Sequence, residues 1–75
     1  MKPMTKKQQA VYDFVVEFIA KHGWAPTREE IAFSLHVWPN GVNDHLKAIE
    51  RKGYITLGPG VNRGIRVTRK AQGAK

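Results

Sequence analysis

The stretch Val37 to Gly53, VWPNGVNDHLKAIERKG, decides how this chain folds. At 100° per residue from Asn40 onward, Val42, Leu46 and Ile49 fall on one side with His45 at its edge, which predicts a helix burying one stripe. The opposite side carries Asn40, Asp44, Lys47 and Arg51, flanked by Asn43 and Ala48. Amide, carboxylate and cationic groups in one wet row are the kind that read base edges and grip phosphate. Gly53 stops the helix. Its start has two readings: Pro39 suits a first helical position, and either Trp38 stands at the cap without a capping group or Asn40 caps a helix that begins one turn later. Gly41 loosens this start by up to ~1 kcal/mol relative to Ala and lets a backbone approach closely.

Upstream, Thr5 followed by Gln8 fits a capping box, so a first helix begins near Thr5. Val11, Phe14, Val15, Phe18 and Ile19 recur at three and four, and Gly23 is placed to end it. Trp24, Ala25 and Pro26 make a stiff connector, with Trp24 read as core. Thr27 with Glu30 repeats the capping pattern, predicting a short second helix from Arg28 to Leu35. Arg28 lies in its first turn, where a cation opposes the helix dipole and a bound phosphate would favour it. A backbone clamp and a solvated arginine are both open readings. His36, Val37 and Trp38 form the turn into the third helix; burial is the expectation for Trp38, the other reading being an exposed ring on a contact surface.

Downstream, Tyr54 to Leu57 and Ile65 to Thr68 are short runs with Ile55, Leu57, Ile65 and Val67 at two-residue alternation. Between them GPGVNRG is a glycine-rich turn carrying Arg63. Two antiparallel strands follow, joined by a loop too long for a two-residue hairpin. The basic tail 69–75, TRKAQGAK less its first residue, is expected to fray. Residues 1–75 read as a single domain with an ordered core from about 5 to 68.

Thirteen Lys and Arg stand against six Asp and Glu, a net charge of +7. From His45 onward eight basic residues face one acid, Glu50. A polyanion is therefore the leading partner. The chain has no Cys, so disulfides and thiolate metal sites are excluded. At 41% hydrophobic and 25% charged it is globular rather than disordered. No apolar run approaches the ~20 residues that cross a bilayer, and MKPMTKK has no signal-peptide core, so no membrane association and a cytoplasmic or nucleoid-associated location are expected. His22, His36 and His45 lack metal-ligand spacing. No nucleophile is paired with a base, so no catalytic residue, metal or cofactor is expected.

Three helices followed by a two-stranded hairpin is the winged helix-turn-helix arrangement, an α+β fold that is mainly α. TKKQQAVYDFV, APTREEIA, NDHLKAIERKGYI and NRGIRV closely resemble the N-terminal DNA-binding domain of the LexA repressors, from about Thr5 to Val67. The resemblance implies that fold, double-stranded DNA as partner, and a transcriptional regulator of SOS-response type. It places the base-reading positions on Asn40, Gly41, Asn43 and Asp44. Only Asn40 matches the usual residue. Gly41 stands where a small alanine is usual, and Asn43 and Asp44 where two glutamates are common. The turn before Pro39 is one residue shorter, with Trp38 near the place of a capping serine. An altered or relaxed operator is the consequence. LexA repressors continue into a dimerising domain with a self-cleaving serine and lysine pair. Here the only serine is Ser34, inside a helix, so self-cleavage is not expected of this chain. A fragment and a complete small protein, as of a mobile element, are both open.

Asn40 and Asn43 suit amide contacts to adenine, and Asp44 suits an acceptor for cytosine N4. Lys47 and Arg51 point the same way and should meet guanine or phosphate. Backbone contacts are assigned to Arg28, Arg51, Lys52, Arg63 and Arg66, with Lys47 counted among the base readers. One module binds weakly at physiological salt, so a homodimer on a palindromic site or a protein partner is expected. The competing reading keeps the fold but turns the altered face, with Trp38, Gly41 and Asp44, toward a protein such as RNA polymerase or a host repressor.

Overall fold

Thr5 and Thr27 each start a helix by the same device. The Thr5 hydroxyl accepts from the Gln8 N–H at 3.2 Å, and Gln8 Oε1 accepts from the Thr5 N–H at 3.1 Å. Thr27 and Glu30 repeat this at 3.1 and 2.8 Å. Each box satisfies two N–H groups that a helix start would leave bare. In the computed structural model, which describes residues 3–58 and 64–68, these helices are α1 (Lys6–His22) and α2 (Arg28–Leu35). The third helix, α3 (Pro39–Arg51), precedes an antiparallel pair, β1 (Ile55–Leu57) and β2 (Ile65–Val67).

Of the two starts left open for α3, the structure has Trp38 at the cap and Pro39 in the first turn. No side chain caps this end. The Trp38 carbonyl accepts the Val42 N–H at 3.1 Å, so the backbone closes the first turn without help.

The helix ends follow from backbone handedness. Gly23 (φ 85°) and Gly53 (φ 93°) lie in the left-handed region that favours glycine. After α3, the Gly53 N–H reaches the Glu50 carbonyl at 2.9 Å and the Tyr54 N–H reaches Ile49 at 3.3 Å. This double closure turns the chain from helix into wing. α2 ends the same way without a glycine: His36 has φ 56°, and the Val37 N–H reaches the Ala32 carbonyl at 3.0 Å.

The core lies where the three helices meet the wing. Val11 and Val15 of α1 meet Ile31 and Ala32 of α2 and Val42, Leu46 and Ile49 of α3. Ile55 and Ile65 close it from the sheet, with Ala25 of the connector. The Val42, Leu46 and Ile49 stripe is fully buried, as its periodicity requires. Each such side chain stabilises by roughly 1.5–3 kcal/mol. In the sheet, Ile55 pairs with Val67 and Leu57 with Ile65, leaving Thr56 opposite Arg66 on the outer face. Tyr12 packs edge-on against Tyr54, ring centroids 5.6 Å apart, fixing α1 to the start of the wing. Burial, and then the Asp13 carboxylate, raise the Tyr12 phenol above its ordinary value.

Both tryptophans depart from expectation. Trp24, read as core, is 55% exposed, because Ala25 and Pro26 take the buried places in the connector. It extends instead a surface ladder of rings, Phe18 to His22 at 4.2 Å and His22 to Trp24 at 5.8 Å. Trp38, expected to be buried, is 84% exposed, since the cap position of α3 points away from the core stripe.

Candidate nucleic-acid interface

Burying Val42, Leu46 and Ile49 fixes the roll of α3 and leaves Asn40, Asp44, Lys47 and Arg51 exposed along one row. Those four sequence-predicted residues therefore stand together on a single helix face. Gly41 is half-buried at the front of that face, and a Cβ there would meet nothing within 4 Å. Packing among the described residues does not force the glycine.

Asn43 stands apart from the row. It is half-buried on the flank of α3 that faces α2, where its Oδ1 accepts from Arg28 Nε at 3.0 Å. Arg28 is half-buried and donates across to α3. It links the two helices of the helix-turn-helix.

The remaining described cations differ in their surroundings. Arg66 is exposed on the outer face of the wing, on the strand residue opposite Thr56. Lys52 is different: its Nζ donates to the Pro3 carbonyl at 3.0 Å and to Gln8 Oε1. Placed just past the last turn of α3, it fastens that end to the start of α1. Arg63 and the basic tail 69–75 lie outside the described residues.

Two features of the site were missed in the sequence. Glu50 Oε2 accepts the Leu57 N–H at 2.9 Å and couples α3 to β1. Its signal was its isolation, as the one acid in a basic half. Phe33 is 85% exposed on α2, close in sequence to the turn that also presents Trp38. Lying off the Ile31, Ala32 and Leu35 stripe, it was marked by periodicity as outward. Among the described residues, no group of three His, Asp or Glu stands together as a metal site, and no helix is long and apolar enough to cross a membrane.

A short helix, a tight turn, a second helix rolled to expose a polar basic row, and a two-stranded wing beside it define a winged helix-turn-helix nucleic-acid-binding domain. The sequence matches the LexA DNA-binding domain over residues 1–64, and the chain belongs to that family. It is 50% identical over 68 residues to the LexA repressor of Providencia rettgeri, covering 89% of this chain and 33% of that protein. The LexA repressor of Thermotoga neapolitana is 43% identical over 72 residues, 96% of this chain and 36% of the relative. That of Photorhabdus laumondii subsp. laumondii is 46% identical over 74 residues, 97% and 37%. The chain spans about a third of the length of these curated relatives.

Proposed function

We propose that this chain is a sequence-specific, double-stranded DNA-binding transcriptional regulator that lays the exposed row of α3 in the major groove. The observation that carries the reading is the shared exposure of Asn40, Asp44, Lys47 and Arg51 on the side opposite the buried stripe. Asn40 and Asp44 supply hydrogen-bonding groups at the front of the helix, suited to adenine and to cytosine N4. Lys47 and Arg51 follow one and two turns on and meet guanine or backbone. Arg66 on the wing, with Arg63 in the sequence between the strands, adds phosphate contacts.

A single module neutralising a few phosphates binds non-specifically with Kd of ~10⁻⁴ to 10⁻⁶ M. Specific regulation therefore rests on two copies on a symmetric site or on a protein partner. Titrating a LexA-type operator and a scrambled duplex at several salt concentrations tests the reading. A steeper affinity for the operator supports it, and equal affinity for both defeats it.

A second reading is favoured by the exposure of Phe33 and Trp38 on either side of the helix-turn-helix corner. Large apolar side chains in the open mark contact surfaces when they cluster. The altered face would then engage a protein such as RNA polymerase or a host repressor. Co-purification of such a protein alongside blank gel shifts supports that outcome over DNA binding.

A further inference from the structure

Trp38 stands where α3 begins, and its ring lies outside the core. It occupies the N-cap with no side-chain cap bond, is 84% exposed, and among the described residues stacks on no other ring. Pro39 and Asn40, which follow it, are exposed as well. Given the DNA-binding reading above, this is the end of the helix that meets base edges, because a recognition helix contacts them with its N-terminal residues. The placement that brings Asn40 to the groove therefore brings the indole with it. An indole has one N–H donor, no acceptor and an otherwise apolar body. Laid on the donors and acceptors of a base edge, that body would strip their water without replacing the bonds. The one apolar group that the four bases present in the major groove is the thymine C5-methyl.

We propose that Trp38 is a specificity-determining residue of this domain, packing its apolar face on a thymine methyl in each half-site. A serine or asparagine at this place would cap the helix. The indole forgoes the cap and gives the front of α3 a large apolar group, which the exposed row of Asn40, Asp44, Lys47 and Arg51 lacks. The contact adds a thymine preference to the bases that the polar row reads. Burying one methyl against the ring is worth about a 4-fold change in affinity.

The test is deoxyuridine substitution, which removes the methyl and leaves base pairing intact, at a position located by selecting bound duplexes from a random pool. Wild type is expected to enrich thymine at one position per half-site that Trp38→Ser leaves unselected, while preferences elsewhere stay. Deoxyuridine there should weaken wild type about 4-fold and leave Trp38→Ser unaffected. Trp38→Phe, which keeps an aromatic face without the N–H, should retain most of the penalty. Thermal unfolding is run on each, and Trp38→Ser, with its capping oxygen, is expected to melt above wild type, so that lost preference is not lost fold. Equal binding of the thymine and deoxyuridine duplexes by wild type overturns the proposal, as does the same penalty in Trp38→Ser, which assigns the methyl to another residue. Trp38→Phe losing the preference as fully as Trp38→Ser moves the contact to the indole N–H and also overturns it. So does Trp38→Ser losing affinity evenly at every sequence, which places the ring on the backbone, or altering nothing, which leaves the ring to a protein partner. Wild type enriching no sequence at all overturns the DNA-binding reading and this assignment together, whereas clear enrichment without such a thymine overturns this assignment only.

Discussion

The Glu50 carboxylate accepts the Leu57 backbone N–H at 2.9 Å, fastening β1 to the last full turn of α3. The one acid after His45 is thus a link between α3 and the wing. Its structural and electrostatic effects have opposite signs and can be separated by substitution.

Glu50→Gln keeps an oxygen for the Leu57 N–H and raises the net charge from +7 by one. It should melt close to wild type and bind scrambled DNA more tightly at low salt. Glu50→Ala has the same charge but loses the bond, and should cost about 1 kcal/mol. Paired melting curves and salt titrations check both. Equal melting temperatures for the two variants would show that the bond contributes nothing.

His36 closes α2 with φ 56°, a conformation costing a non-glycine residue roughly 1–2 kcal/mol. The side chain is exposed, so little packing is lost on its removal. His36→Gly should therefore stabilise by about 1 kcal/mol, a rise of ~4–8 °C in Tm for a domain of this size. Calorimetry of the pair checks it, and a lower Tm would mean that the imidazole makes a stabilising contact.

The start of α3 is underbuilt, with Trp38 at the cap and Gly41 in the first turn. Trp38→Ser supplies a capping oxygen and should add ~0.5–2 kcal/mol. Gly41→Ala has open space for its Cβ and should add up to ~1 kcal/mol. If Gly41 is kept for close approach to DNA, Gly41→Ala gains stability while losing operator affinity. Denaturation and gel-shift titration of the same preparations separate the two effects.

Burial raises the Tyr12 phenol above its ordinary value, so the fold favours the neutral form. The resulting stability is complete below the unfolded-state value near pH 10 and is lost as pH rises through the higher folded value. Tyr12→Phe cannot ionise and should flatten this alkaline decline. Melting temperatures from pH 8 to 11 for both proteins check it, and identical slopes would contradict it.

The three helices and two strands were legible because each has a local signal: two capping boxes, two glycine stops, a fully apolar stripe in α3 and alternation in the wing. The row of Asn40, Asp44, Lys47 and Arg51 was legible for the same reason, since burying one side of a helix determines the other. Trp24 and Trp38 were misread because hydrophobicity was taken as burial, although a connector and a cap offer few inward positions. The roles of Arg28, Asn43, Glu50 and Lys52 were hidden. Each depends on a partner 15, 7 or 44 residues away in sequence, and pattern along one element carries no information about that distance.

The central claim is that the wet row of α3 is the surface that meets duplex DNA. Nuclear magnetic resonance of the labelled chain titrated with an operator duplex, following side-chain as well as amide signals, tests it most directly. The account predicts the largest shifts at Asn40, Asp44, Lys47 and Arg51, with Arg66 following and Lys52 little changed. Shifts centred on the Phe18, His22 and Trp24 ladder of α1 with that row silent, or no shifts at any duplex concentration, would contradict it.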